Sequence, residues 1–123
     1  MNWAILIAAL IAVESGGNPQ AIGDNGRAVG VLQIWPCVVE DVNRISGRHY
    51  SMEDRLDVDK SKAICIIYLR HYGKGKSWEQ RARIWNGGPR GDRKAATLPY
   101  WERVERAAKM RGRIDVTGRI GEL

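Results

Sequence analysis

The apolar residues of this chain fall into runs with helical spacing, separated by short polar segments rich in glycine. The first run, residues 3–13, is apolar on every face, so it predicts a helix at the centre of the protein, surrounded by other helices. Two glycines and a proline in residues 14–19 end this helix. The run is too short to cross a bilayer, which requires about 20 residues.

Four later segments also have helical spacing. Pro36 suits the first turn of one helix, and Ser77 with Gln80 forms a capping box for another. The last helix has Pro99 near its first turn, and beyond Met110 the sequence is basic and weakly patterned. The predicted helices are 36 to about 45, 57 or 59 to about 72, 77 to about 85, and 97 or 98 to about 110.

Residues 20–31 carry the strand signals of the chain. Asp24-Asn25-Gly26 is a strong tight-turn sequence, and short extended pieces flank it. We therefore predict one small β-hairpin in a mainly α, single-domain protein. The domain is expected to span residues 1–112, followed by a basic tail at 113–123.

Length and charge limit the function classes. A chain of 123 residues suits one domain, and 44% hydrophobic with 28% charged residues excludes long disorder and fibrous repeats. The net charge of +6 indicates an anionic partner: nucleic acid, an acidic membrane or a cell-wall polymer. A basic cluster on the last helix is either part of such a contact or a solvated helix face. It comprises Arg103, Arg106, Lys109, Arg111 and Arg113.

The cysteines and histidines do not have the spacing of a metal site. Cys37 and Cys65 stand far apart without a CxxC pair, and the two histidines are scattered. A disulfide between the cysteines remains an alternative, but the sequence favours two buried free thiols. No metal and no cofactor are expected.

Glu14 is the most unusual residue, because this carboxyl group directly follows eleven apolar residues. Burial and the negative end of the helix dipole both raise the pKa of a carboxyl group in this position. An acid that stays protonated near neutral pH can donate a proton to a leaving-group oxygen. The alternative is that Glu14 only marks where the helix reaches solvent.

Four motifs follow one another along the chain: Glu14-Ser15-Gly16, residues 30–36, residues 82–89, and Tyr100 with Val104. Their order and spacing resemble the soluble lytic transglycosylase (SLT) domain of the lysozyme superfamily, whose pattern runs E-S-G, G-L-M-Q, A-x-x-Y-N-x-G and Y-x-x-V. The resemblance covers about residues 4–108.

The resemblance implies a lysozyme-like, mainly helical fold with a cleft for the glycan strands of peptidoglycan. The implied reaction cleaves the β-1,4 bond between N-acetylmuramic acid and N-acetylglucosamine, with Glu14 as general acid and later base. Further site residues implied to bind substrate or to lie near the catalytic carboxyl group are Ser15, Gln33, Trp85, Asn86 and Tyr100.

Departures from the family pattern leave the outcome of the reaction open. Trp85 stands at the tyrosine position and Leu32 at the methionine position, and Gly23-Asp24 replaces a segment that often contains serine. If Asp24 faces Glu14, water can complete a hydrolysis; otherwise the sugar's own 6-hydroxyl can close a 1,6-anhydro ring. Two carboxyl groups about 5 Å apart favour retention, and about 6.5–9.5 Å inversion. Asp24 also suits a tight turn without any catalytic role.

Five tryptophans and four tyrosines fit a sugar-binding cleft, since indole faces stack on pyranose rings. Trp3 and Trp78 are expected in the core, whereas Trp35 and Trp85 adjoin the matched motifs and are cleft candidates.

We expect a monomeric, metal-independent peptidoglycan glycosidase, with anionic wall or outer-membrane polymers as further partners. No signal peptide is visible, which suggests phage-type release or delivery by other machinery. The rival hypotheses are a non-catalytic glycan-binding protein and a basic nucleic-acid-binding helical protein. No recognised nucleic-acid-binding module supports the latter.

Overall fold

The structure, a computed structural model, describes the backbone of residues 1–117 and the side chains of residues 1–110. The expected mainly helical architecture with a small hairpin is confirmed. The helices are α1 (Trp3–Ser15), α2 (Pro36–Ser46), α3 (Val58–Tyr72), α4 (Trp78–Gly87) and α5 (Leu98–Thr117). Strands β1 (Ile22–Gly23) and β2 (Ala28–Val29) pair antiparallel, with Ile22 opposite Val29.

Local capping fixes the helix boundaries close to their predicted places. The Asp57 side chain accepts a hydrogen bond from the backbone N–H of Lys60 at the start of α3. Ser77 and Gln80 form the reciprocal capping box predicted for α4. The backbone of α5 continues to Thr117, past the expected domain boundary at residue 112. Residues 118–123 of the expected basic tail lie outside the described residues, as do the side chains of its first part.

α1 and α5 run antiparallel along each other. Tyr100 near the start of α5 contacts Glu14 at the end of α1, whereas Lys109 and Met1 line one shallow pocket at the opposite end. These two helices and α3 and α4 enclose the apolar core. Its fully buried side chains include Leu6, Leu10, Leu32, Ile34, Val39, Val42, Ile64, Leu69, Ile84 and Val104.

The prediction that other helices surround α1 on every face is wrong. Leu6 and Leu10 are buried, but Ala4 and Ala12 are exposed. An apolar groove of about 630 Å³ lies open along α1 and α3, lined by Ala8 and Ile66 among others. A uniformly apolar run carries no information about which face its neighbours leave open. None of the described helices has the length and apolar character needed to cross a membrane.

Two further expectations concern side-chain burial. Trp3 and Trp78 pack against the core, as predicted, with their rings edge to face and their centroids 5.1 Å apart. Both cysteines are free, but only Cys65 is buried; Cys37 is exposed on the first turn of α2. The prediction of two buried thiols is therefore wrong for Cys37, because α2 turns its Val39–Val42 face to the core.

Candidate active site

A polar cleft of about 270 Å³ lies between the end of α1, the hairpin, the start of α2 and the end of α4. It brings together five of the site residues predicted from the sequence, together with Trp35, which was predicted as a cleft tryptophan. Ile34 and Val38 complete the wall and were not predicted. The lining residues are Glu14, Asp24, Gln33, Ile34, Trp35, Val38, Trp85 and Asn86.

Glu14 is half-buried on the last turn of α1, which ends at Gly16 in the left-handed conformation (φ 64°). Burial raises the pKa of Glu14 from its usual 4.5 to about 7. A hydrogen bond from Tyr100 opposes this increase, the nearby Asp24 carboxylate adds to it, and Arg103 opposes it. Desolvation outweighs the hydrogen bond, so the carboxyl group holds its proton up to about neutral pH.

Tyr100 supports Glu14 from behind the cleft. Its phenolic oxygen donates a 2.8 Å hydrogen bond to Oε2 of Glu14, and its side chain is only 3% exposed. Burial, followed by the charge of Glu14, raises the pKa of Tyr100 well above its usual range. The phenol therefore keeps its proton and acts as a donor to the carboxyl group.

Asp24 lies in the turn of the hairpin, where the backbone is left-handed at two residues that are not glycine. The φ angles are 50° at Asp24 and 58° at Asn25. Aspartate and asparagine tolerate this conformation better than other side chains do. The Asp24 side chain is exposed, and its Oδ2 accepts a hydrogen bond of 3.3 Å from the indole Nε1–H of Trp35.

Gln33 fixes the floor of the cleft to the hairpin. Its side-chain amide Nε2 donates 3.0 Å hydrogen bonds to the carbonyl oxygens of Ala21 and Gly30. Both amide hydrogens are thereby engaged with the backbone, so Oε1 is the atom left to accept a hydrogen bond. At Gly23, a Cβ atom would lie 2.6 Å from this Oε1, so the strand approaches Gln33 closely because it has no side chain there.

Ser15 does not line the cleft, although the resemblance placed it among the substrate-binding residues. Its hydroxyl donates a 2.8 Å hydrogen bond to the carbonyl of Val31 and accepts one from the backbone N–H of Gly17. The structure thus gives Ser15 a place in the scaffold, where it ties the end of α1 to the segment after β2. The E-S-G motif contributes one residue to the cleft and one to its support.

Trp85 and Asn86 come from the end of α4 and form the wall opposite the hairpin. Trp85 is half-buried and meets the ring of Tyr68 edge to face, with centroids 5.6 Å apart. Asn86 is exposed. At the adjacent Gly87, a Cβ atom would lie 2.6 Å from Cγ2 of Thr97, so this helix end requires a residue without a side chain.

Sequence reasoning placed Tyr100 near Glu14 but did not connect Arg103 or Cys65 with this carboxyl group. Arg103 on α5 places its guanidinium carbon 5.8 Å from the centre of the Tyr100 ring. Cys65 on α3 is fully buried, and burial together with the charge of Glu14 raises the pKa of its thiol. No local pattern in the sequence pairs these positions with Glu14, since each lies on a different helix.

Together, these features define a helical domain with a carboxyl group whose pKa is about 7, in a cleft closed on one side by a two-stranded hairpin. The chain belongs to the family described as Transglycosylase SLT domain, which matches residues 1–106. The predicted resemblance is thus confirmed.

Two similar proteins add to this result. The chain is 35% identical over 99 residues to Lysozyme 1 of Crassostrea virginica, covering 76% of this chain and 53% of that protein. The chain therefore spans about half the length of this curated relative. The fold of the present chain is similar to that of a chain in the crystal structure of Aeromonas hydrophila PliI in complex with Meretrix lusoria lysozyme. The TM-score is 0.70 at 24% identity, and the match covers 83% of this chain and 87% of that chain. At this identity the likeness shows the fold.

Proposed function

We propose that this protein is a peptidoglycan-degrading glycosidase that cleaves the β-1,4 bond between N-acetylmuramic acid and N-acetylglucosamine. The observation that carries the proposal is the Glu14 carboxyl group, with a pKa of about 7, in a cleft that also contains Asp24. Family membership and the similarity to a lysozyme support the same substrate class.

In the first step, protonated Glu14 donates its proton to the glycosidic oxygen while the bond between this oxygen and C1 breaks. Positive charge develops on the sugar ring, and the carboxylate of Asp24 stabilises it from the hairpin side. Glu14, now ionised, takes a proton from a water molecule whose oxygen bonds to C1. This transfer returns Glu14 to its starting state and gives a reducing sugar.

The presence of Asp24 in the cleft favours hydrolysis over internal ring closure. In the lytic transglycosylase route, the 6-hydroxyl of the sugar loses its proton to Glu14 and its oxygen bonds to C1, so no water is consumed. The family description supports this second outcome. The masses of released muropeptides distinguish the two routes, because an anhydro product is lighter by one water molecule.

The other cleft residues suit a sugar chain. Trp85 presents part of an indole ring and Asn86 an exposed amide, and Oε1 of Gln33 is available as an acceptor. An indole face with nearby polar groups matches the alternation of apolar faces and hydroxyls on a pyranose. Exposed Arg103, Arg106 and Lys109 add positive charge that favours an anionic wall polymer.

The decisive test replaces Glu14 with glutamine, which keeps the size of the side chain and one oxygen that can accept the Tyr100 hydrogen bond but removes the acid. We expect Glu14→Gln to lose at least about 100-fold in the rate of reducing-end release from purified cell walls. Glu53→Gln is the matched control, because Glu53 is exposed outside the cleft. This control is expected to retain wild-type activity.

Several outcomes would overturn the proposal. Wild-type protein that binds walls without clearing them would indicate a glycan-binding protein. Salt-sensitive DNA binding that Glu14→Gln does not change, together with no wall lysis, would indicate a nucleic-acid-binding protein. Equal activity of Glu14→Gln and wild type would assign the chemistry to another residue.

A further inference from the structure

We infer that Trp35 is a positioning residue whose indole N–H holds the Asp24 carboxylate in place at the cleft. The catalytic consequence of this contact rests on the function proposed above. The contact itself can be tested without any activity.

The turn that carries Asp24 does little to fix its side chain. Asp24 is exposed and lies in a three-residue turn with left-handed backbone at Asp24 and Asn25. Among the described side chains, Trp35 supplies the single hydrogen bond recorded to this carboxylate, from Nε1 to Oδ2. An exposed carboxylate without such a bond samples several side-chain conformations, so Trp35 restricts it.

Trp35 is well suited to this task because its own backbone is fixed on both sides. The preceding residue, Ile34, forms a β-bridge with Val29 of β2, with hydrogen bonds of 3.0 and 3.2 Å. The following residue, Pro36, begins α2, and the Trp35 carbonyl accepts a 3.0 Å hydrogen bond from the Val38 N–H. Trp35 thus joins the hairpin to the start of α2.

The indole ring is held by contacts at the surface rather than by burial. Its exposed fraction is 36%, which is high for a tryptophan. The Arg27 guanidinium carbon lies 5.6 Å from the ring centroid, within the range of a cation–π contact. The arginine contact and the hydrogen bond to Asp24 thus hold the indole ring at its face and at its edge.

The hydrogen bond from Trp35 makes the two Asp24 oxygens different. Oδ2 accepts the bond from Trp35, and Oδ1 has no recorded partner among the described residues. Oδ1 is therefore the oxygen available to a sugar or to a water molecule in the cleft. By fixing this oxygen relative to Glu14, Trp35 favours hydrolysis over ring closure.

The experiment combines a kinetic and a spectroscopic measurement. Trp35→Phe keeps an aromatic ring for stacking and for Arg27 but removes the donor. We expect kcat on purified peptidoglycan to fall about tenfold, with KM changed less than about twofold and a larger share of anhydro product. Trp101→Phe, a half-buried tryptophan outside the cleft, serves as the control and leaves these values unchanged.

Nuclear magnetic resonance of the protein labelled with ¹⁵N tests the contact directly. The five tryptophans give five indole signals, and the signal lost in Trp35→Phe identifies Trp35. We expect this signal to move during acid titration of the wild-type protein and to stay constant in Asp24→Asn.

The outcomes separate the inference from the proposed function. A higher KM with unchanged kcat in Trp35→Phe would show that the indole binds the sugar directly instead of positioning Asp24, and would overturn the inference. An indole signal that titrates equally in wild type and Asp24→Asn would show that the bond is absent, and the inference would fail. If the wild-type protein degrades no peptidoglycan, the proposed function fails, and the titration still decides whether Trp35 holds Asp24.

Discussion

The hydroxyl of Tyr100 donates a 2.8 Å hydrogen bond to Oε2 of Glu14 and joins two helices across 86 positions of the sequence. The bond stabilises the carboxylate, whereas burial stabilises the neutral acid. Burial has the larger effect, and the pKa of Glu14 is about 7. The balance between these two contributions sets the pH range in which Glu14 can act as an acid.

Tyr100→Phe is expected to raise the pKa of Glu14 above its wild-type value, because it removes a donor that favours the ionised form. A general acid is active while it is protonated, so the alkaline limb of the pH profile should move to higher pH, by about 0.5–1 unit. The measurement is kcat/KM against pH, which reports the free enzyme. Tyr50→Phe is the control, and an unchanged alkaline limb in Tyr100→Phe would contradict the assignment.

Glu14 is also expected to make stability depend on pH. Its pKa is higher in the folded protein than the usual 4.5, so the folded state keeps a proton that the unfolded chain loses. The contribution of this proton is fully present below about pH 4.5 and is lost as pH rises through about 7. Glu14→Gln cannot ionise and should escape this loss.

Thermal unfolding at two pH values checks this expectation. The Tm of Glu14→Gln should be close to wild type at pH 4.5 and higher than wild type at pH 8, where the wild-type protein buries a charge. An equal Tm difference between Glu14→Gln and wild type at both pH values would mean that Glu14 ionises in the folded protein as it does in the unfolded chain.

Gly30 is expected to tolerate no side chain. Its φ angle is 89°, and a Cβ atom would lie 1.9 Å from the backbone oxygen of Arg55. Gly17 has nearly the same φ angle, 90°, but open space around it. Gly17→Ala should therefore cost about 1–2 kcal/mol for the left-handed backbone, and Gly30→Ala about 2–5 kcal/mol, because the clash adds to that cost.

Urea unfolding of these two alanine variants measures the difference. Because Gly17 and Gly30 have nearly the same φ angle, the difference between the two alanine variants measures the cost of the clash between Gly30 and the Arg55 segment. Similar losses in both variants would show that the segment around Arg55 moves away without cost.

The two cysteines are expected to differ in reactivity. A thiol reagent should label Cys37 in the native protein, because this residue is exposed, and should reach buried Cys65 after unfolding in urea. Burial also raises the pKa of the Cys65 thiol, which lowers its thiolate population. Labelling of both residues at equal rates in the native protein would contradict the burial of Cys65.

The sequence by itself determined the five helices, the hairpin and most of their ends, with the end of α5 as the exception. Capping by Asp57 and by the Ser77–Gln80 pair, and the Asp-Asn-Gly turn, involve groups within a few residues of each other. Such interactions are strong enough locally to be visible in a short window of sequence. The position of Glu14 after an apolar helix likewise predicted the direction of its pKa shift.

Only the tertiary structure decided which side chains meet in the cleft and which support it. Ser15 belongs to the same motif as Glu14, yet its hydroxyl bonds to Val31, whereas Tyr100 reaches Glu14 from the far end of the chain. The exposure of Cys37 and of one face of α1 depends equally on how helices pack. These outcomes arise from contacts between residues that are distant in sequence, and helical periodicity fixes which residues share a face but not what that face touches.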